Sequence, residues 1–299
     1  MEKLRVAIVG YGSIGKYALE ALLKAPDMEC AGVVRRSGNA EGFPELSGVR
    51  VVKDPGELGR VDVAILAVPS RSVGDIAAKY LERGINTVDS FDIHAEIRNL
   101  RPMLDAVAKD HDCVSIISAG WDPGSDSVVR ALMMALCPDG VSYTNFGPGR
   151  SMGHTVAAKA IPGVKDALSM TLPQGKGIHK RHVYVELESG ADFDAVASAI
   201  RNDPYFRNDE TEVEEVESVA AIDTHSHGVN LVRTGSSGTT QGQSLEFNMK
   251  INNPALTGQM LVGAARAACR QKKGCYTMIE IPPVDFLPGD RADLINILV

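Results

Sequence analysis

The sequence predicts an α/β chain: a doubly wound domain built on a parallel sheet, followed by a second domain of α+β type. Three observations carry this. A β-branched strand runs directly into a glycine-rich turn and a helix; strand and helix patterns then alternate to about residue 120; beyond that point strands with frequent Gly and Pro dominate. Alternating strands and helices give a parallel sheet covered on both faces, whereas a run of strands gives a separate sheet. With 299 residues, 44% hydrophobic and 23% charged, the chain has room for two domains with their own cores.

The first strand, 6–9, enters Gly10-Tyr11-Gly12-Ser13-Ile14-Gly15, and a helix follows with Ile14, Ala18, Leu19 and Leu22 on one face. Strand, G-x-G-x-x-G and helix in this order form a dinucleotide-binding fingerprint. The first glycine allows the tight turn, the second lets backbone approach a pyrophosphate, and the third lets helix and strand pack closely. Free N–H groups at the helix start face the anion. The second strand, 29–34, ends in Arg35-Arg36-Ser37. A site for NAD would place an acidic residue there, to accept from the ribose 2′-hydroxyl. Two guanidiniums instead suit a 2′-phosphate, so the cofactor expected is NADP.

Next comes 61–68, a near-continuous apolar run of the kind found in buried parallel strands. It ends in Val68-Pro69-Ser70, a segment suited to lie under the nicotinamide ribose. A helix over 73–83, a strand over 85–89, a helix over about 95–110 and a strand over 113–117 complete the first domain, residues 1–120. One more helix (about 125–137) leads to candidate strands at 142–146, 167–172, 181–188, 212–220 and 245–251. The acidic stretch 209–217 alternates with Val213 and Val216 and reads as the wet face of a strand. A helix near 255–271, a strand at 276–281 and a helical piece at 292–298 finish the chain. The piece from about 285 to 299 is expected to return to the first domain, leaving 121–284 as the second.

A net charge of −7 argues against a nucleic-acid surface. Five cysteines without C-x-x-C spacing give no metal pattern and no disulfide framework, as in a reduced cytoplasm. No signal-type or membrane-length apolar run is present, so a cytoplasmic protein without membrane contact is expected. His225 and His227 lie two apart, but no Cys, Asp or Glu completes a ligand set nearby, and no metal is expected.

Ligands of open α/β sheets bind beyond the carboxyl ends of the strands. Those ends carry Asp89-Ser90-Phe91-Asp92 and Ser118-Ala119-Gly120-Trp121-Asp122, so Asp92 and Asp122 are expected to converge near the nicotinamide. Paired carboxylates there would hold a substrate ammonium beside the hydride acceptor.

The motifs V-D-S-F-D-I-H (88–94), S-A-G-W-D-P-G (118–124), F-G-P-G-R-S-M-G-H (146–154), I-P-G-V (161–164) and T-L-P (171–173) resemble the meso-diaminopimelate dehydrogenase family. His179-Lys180-Arg181, Thr224-His225-Ser226-His227-Gly228 and Asn253-Pro254 fit as well, so the resemblance runs almost end to end. It implies a Rossmann domain joined to a substrate-binding and dimerisation domain, in a homo-oligomer. It implies NADP-dependent, reversible oxidative deamination of the D-centre of meso-2,6-diaminopimelate, giving L-2-amino-6-oxopimelate, ammonia and NADPH. That activity belongs to lysine and cell-wall precursor metabolism. By the same resemblance Asp92 and Asp122 are the catalytic carboxylates near the D-ammonium. Backbone at Met152 and Gly153 serves the D-carboxylate; Thr171, Arg181, His227 and Asn253 meet the L-end; Trp121 and Phe146 shape the wall. Gly10 to Gly15, Arg35, Arg36, Val68, Pro69, Ser70, Ser90 and Phe91 line the cofactor.

Two departures from the family pattern stand out: Ser13 replaces the usual Asn, and the segment from Thr171 to Arg181 is short. The short segment motivates a second reading, a broad-specificity NADP-dependent D-amino-acid dehydrogenase. A reading of another class is a non-catalytic NADP(H)-sensing protein.

Overall fold

The computed structural model describes residues 2–222 and 227–299, and the chain divides into two compact units. One comprises the chain to Ala131 together with Pro254–Val299; the other is Leu132–Asn253.

In chain order the first unit begins with β1 (Leu4–Val9), α1 (Ser13–Lys24), β2 (Met28–Val34), β3 (Val51–Val52), β4 (Val63–Leu66) and α2 (Val73–Leu81). It continues through β5 (Asn86–Asp89), α3 (Ile97–Asp110), β6 (Val114–Ile117) and α4 (Ser125–Leu136), which runs into the second unit. The second unit holds β7 (Asp139–Phe146), β8 (Gly149–Arg150), α5 (Met152–Lys159), β9 (Val164–Gly175) and β10 (Ile178–Leu187). There follow α6 (Phe193–Asn202), β11 (Glu210–Glu215), β12 (His227–Ser237) and β13 (Thr240–Ile251). The chain returns with α7 (Asn253–Ala268), β14 (Gly274–Thr277) and α8 (Arg291–Leu298).

The seven-stranded sheet of the first unit runs β14-β6-β5-β4-β1-β2-β3, all pairs parallel. The order reverses between β1 and β4, the switch point at which such sheets bind nucleotides. Strand residues alternate between two cores: Val6 and Ile8 join Leu19 and Leu22 of α1 on one face, while Ala7 and Leu66 join Ala77, Leu81 and Leu104 on the other.

The return to this unit starts well before residue 285. α7 buries Leu261, Val262, Ala264 and Ala265 against Val6 and Ile8, and β14 pairs with β6 as the seventh strand. The first part of α4 belongs here too. The boundaries at 120 and 285 are corrected accordingly. Small residues make α7 read as apolar all round, and only its buried partners identify the unit it belongs to. The strand read at 276–281 is β14, which starts at Gly274 and gives way after Thr277 to a 3₁₀ turn, Met278–Glu280.

The second unit has a four-stranded sheet, β11-β10-β9-β8, and a three-stranded one, β13-β12-β7. Its α+β character agrees with the sequence. α5 and α6 cover the larger sheet, packing Ala158, Val196 and Ile200 against Ala167, Val183 and Val185. The acidic strand is β11, ending at Glu215 rather than 220, with Val213 buried and Glu212 and Glu214 outward. The sequence reading missed α5, α6 and β12. β12 alternates around Gly228 and Gly235, which dilute the strand signal. Among the described residues no helix is long and apolar enough to cross a membrane.

Candidate active site

The glycine turn at the end of β1 meets the needs of a dinucleotide. Gly10 has φ +89°, and a Cβ there would sit 2.4 Å from the Ala67 carbonyl oxygen. A Cβ on Gly15 would sit 2.4 Å from the Gly10 carbonyl oxygen, so this third glycine permits close packing of helix on turn. At Gly12 a Cβ would meet no protein atom within 4 Å. Glycine at that position therefore leaves room beside the N-terminus of α1, whose first turn carries no acidic residue.

Beyond β2, Arg35 is half-buried and stacks over Phe43 at 4.2 Å, while donating to the Asn39 carbonyl at 2.7 Å. Tyr11 meets the same ring edge-on at 5.3 Å. Arg36 is exposed. No carboxylate ends this strand, and the two guanidiniums that follow it are a donor set suited to an anionic group. Sequence reading missed Phe43, which lies in a loop without periodicity.

Two loops at neighbouring strand ends carry the candidate carboxylates. Asp92 is exposed; its Oδ1 accepts from the Ser70 hydroxyl at 2.5 Å, and its N–H donates to Ser70 Oγ at 3.3 Å. Ser70 thus joins the loop after β4 to the loop after β5. Asp122 is half-buried and accepts from Arg130 Nη1 at 2.7 Å. The Arg130 Nη2 lies 3.6 Å from Asp126, which is wholly buried. Burial, then the neighbouring Asp122 charge, pushes the Asp126 carboxyl up to about 7. The spacing Asp122, Asp126, Arg130 places three groups one turn apart on and before α4, the one signal that could have found the last two. Phe91 and Trp121 are buried beside these carboxylates, and a Cβ on Gly120 would touch Ser90 Cβ at 3.2 Å. The two loops are thus in contact at Gly120 and Ser90, while Asp92 and Asp122 each have a partner of their own, Ser70 and Arg130.

In the second unit the short segment between Thr171 and Arg181 is a tight hairpin, closed by the turn through Gly175 and Gly177. Its register sets Arg181 directly opposite Thr171. Arg181 Nη1 donates to the Thr171 hydroxyl, Nε donates to Asp209 at 2.6 Å, and Nη2 makes no hydrogen bond among the described residues. The basic run 179–182 is therefore split by the pleat. Lys180 and His182 face Glu210, Glu212 and Glu214 of β11, while Arg181 points to the other side. His154 packs edge-on to Tyr205 and Phe206, and its Nδ1 lies 2.9 Å from Ser151 Oγ. Burial, then the Arg181 charge, lowers it to about 4, so it is neutral at neutral pH. Asp209 and His154 complete the setting of Arg181; neither was assigned a role from sequence, because a turn separates Asp209 from every motif.

Phe146, half-buried, lies 5.8 Å from the His179 ring and 6.4 Å from the His227 ring. Its N–H donates to His179 Nε2 at 2.8 Å, which requires that nitrogen to be unprotonated, in keeping with a His179 pKa lowered by burial. His227 is buried, with its pKa lowered chiefly by burial. Met152 and Gly153 open α5, where first-turn N–H groups lack intrahelical acceptors. Asn253 opens α7. Thr224, His225 and Ser226 lie outside the described residues. Among the described residues no cluster of His, Cys, Asp or Glu could hold a metal.

Comparison with known proteins places these features in context. Residues 4–118 match the oxidoreductase family with NAD-binding Rossmann fold, and residues 120–178 match the diaminopimelic acid dehydrogenase C-terminal domain. The chain is 62% identical over 299 residues to a meso-diaminopimelate D-dehydrogenase of Bacteroides fragilis, covering 100% of both. It is 35% identical to that of Lysinibacillus sphaericus, with 98% of each covered. Among solved structures it is similar to C. glutamicum DAP dehydrogenase in complex with DAP, at 30% identity, TM-score 0.89 and full coverage of both chains. An engineered D-amino acid dehydrogenase bound to NADP+ matches at 29% identity, TM-score 0.83, with 99% of this chain and 100% of that one covered.

Proposed function

The chain belongs to the meso-diaminopimelate D-dehydrogenase family, and from that premise we propose that it catalyses reversible oxidative deamination of the D-centre of meso-2,6-diaminopimelate with NADP+. The products are L-2-amino-6-oxopimelate, ammonia and NADPH. The observation that carries the substrate reading is the cross-strand pair Thr171–Arg181, which leaves one guanidinium nitrogen of Arg181 for a ligand carboxylate.

Bound NADP+ supplies the hydride acceptor. Gly10 to Gly15 hold its pyrophosphate, Arg35 and Arg36 its 2′-phosphate, and Val68, Pro69, Ser70, Ser90 and Phe91 line its nicotinamide end. Asp92 and Asp122 hold the D-ammonium and orient the Cα–H bond; Trp121 and Phe146 exclude water. Met152 and Gly153 offer N–H groups to the D-carboxylate. Arg181, Thr171, His227 and Asn253 anchor the L-end, so that of two chemically alike termini only the D-centre reaches the acceptor. The amine loses its proton to solvent before the Cα–H bonding pair departs as hydride, leaving an iminium ion. Water adds to it and ammonia leaves. Deamination therefore speeds up as pH rises. The same reading includes a homo-oligomer in the cytoplasm.

NADPH formation on separate meso, LL and DD isomers, at alkaline pH, tests this. Turnover of meso without LL supports D-centre chemistry; silence on meso, with NADPH still bound, overturns it and leaves the sensing reading. The short hairpin beside Arg181 favours, as a second reading, tolerance of D-amino acids lacking the far charged end. No turnover of D-alanine and D-lysine at high concentration removes it.

A further inference from the structure

We propose that Asp89 is a positioning residue for this reaction: its buried side chain ties the loop carrying Asp92 to the loop carrying Asp122. The role of the two outer carboxylates is taken from the function proposed above; the tie itself is geometric.

Asp89 is the last residue of β5 and is 0% exposed. Its Oδ1 accepts two backbone N–H groups from different loops, Phe91 at 2.9 Å and Ser118 at 3.1 Å. Its own carbonyl accepts from Ala119 N–H at 2.7 Å. Phe91 immediately precedes Asp92, and Ser118 opens the segment that reaches Asp122. One residue thus makes three hydrogen bonds to the two strand-end loops. β5 and β6 lie side by side in the sheet, so the loops leave from adjacent origins, and the Asp89 bonds fix how they diverge. Ser118 has φ +55°, a left-handed conformation that an L-residue adopts at a cost of about 1 kcal/mol or more. Its N–H bond to Asp89 helps hold that conformation.

The side chain is held at considerable electrostatic cost. The Cys275 thiol lies near it, and burial pushes the carboxyl up to about 7. Among the described residues Oδ2 and the neighbouring Ser118 Oγ are buried without a hydrogen-bond partner. A carboxyl group placed here with one oxygen unpaired supplies what apolar packing could not, an acceptor for both loops. Its task is to set the separation of Asp92 and Asp122, where displacement of about 1 Å costs roughly a hundredfold in rate.

Three forms of the full chain separate positioning from bulk stability: wild type, Asp89→Asn and Asp89→Leu. The amide oxygen of Asn retains both acceptor bonds; Leu has the same number of side-chain heavy atoms and the same branching, is somewhat bulkier and has no acceptor. For meso-diaminopimelate, Asp89→Asn is expected to keep kcat within about fivefold of wild type. Asp89→Leu is expected to lose about a hundredfold in kcat, with KM and the Kd for NADPH changed less than about threefold. Folded Asp89→Leu with kcat within fivefold of wild type overturns the proposal, as does Asp89→Asn falling as far as Leu. If Asp89→Leu does not fold, Asp89→Ser, with its shorter acceptor, is judged by the same thresholds. Should wild type be silent on meso-diaminopimelate, the substrate reading fails separately. The tie is then judged by amide hydrogen exchange at Phe91 and Ser118, expected about tenfold faster in the Leu or Ser variant than in Asp89→Asn; equal rates overturn it.

Discussion

The acidic loops of the first unit and the arginine clamp of the second are held by different kinds of bond. Ser90–Asp92 and Ser118–Asp122 are fixed through their backbone, the N–H groups of Phe91 and Ser118 donating to the Asp89 carboxylate and that of Ala119 to the Asp89 carbonyl, at the level ends of two adjacent strands. Arg181 is fixed by side chains alone, the Thr171 hydroxyl and the Asp209 carboxylate, on a hairpin whose length is set by two glycines in its turn. Loops tied through their backbone to one buried carboxylate keep their place when other neighbouring side chains change, and shift together when that carboxylate is lost. A side-chain clamp is altered one residue at a time. The acidic loops of the first unit thus depend on one buried anchor, and the arginine clamp of the second on several separate side chains.

The sharpest way to break this contrast is Arg181→Ala. Losing a charge-assisted contact of about 2–4 kcal/mol predicts a fall of roughly thirty- to a thousandfold in kcat/KM for meso-diaminopimelate. Turnover of a simple D-amino acid, if present, should change less than about threefold. Steady-state kinetics on both substrates checks this, and equal losses would mean that Arg181 acts on the common chemistry.

A somewhat smaller effect is expected at the cofactor. With Arg35 and Arg36 both changed to Ala, KM for NADP+ should rise about a hundredfold, as phosphate contacts worth about 1.5–3 kcal/mol are lost, while NAD+ use stays nearly unchanged. Parallel losses for both nucleotides would show that these arginines support the loop around Phe43 rather than reading the 2′-phosphate.

The smallest expected effect concerns stability. Asp126 titrates near 7 in the folded chain, above the ordinary 3.8, so the folded state binds its proton more tightly than the unfolded state. Its unfavourable contribution is absent below about pH 4, grows as pH rises and is complete above about 7. Asp126→Asn should therefore gain Tm relative to wild type by a few °C on going from pH 5 to pH 8.5. Calorimetry at the two pH values tests this; an unchanged gap would place the Asp126 titration elsewhere.

Much of the fold was legible. The glycine turn, the alternating elements to residue 117 and the acidic strand at β11 each carried a local signal. So did Asp92 and Asp122, because strand ends can be located from periodicity. Helices α5 and α6 and strand β12 were not, since their patterns are short or interrupted by glycine. The Arg130–Asp126 pair was visible only as a four-residue spacing, and Asp209 and Phe43 gave no signal. A partner that arrives through a turn or a loop has no fixed offset in the chain.

By itself the sequence determined the parallel sheet, its dinucleotide turn and the positions of the charged groups, because each depends on periodicity or on residues adjacent in the chain. Only the tertiary structure decided that α7 and β14 belong to the first unit, that Asp89 joins two loops and that Asp209 turns Arg181. Those outcomes rest on burial and on hydrogen bonds between residues far apart in the chain, and such contacts are selected by the folded core as a whole.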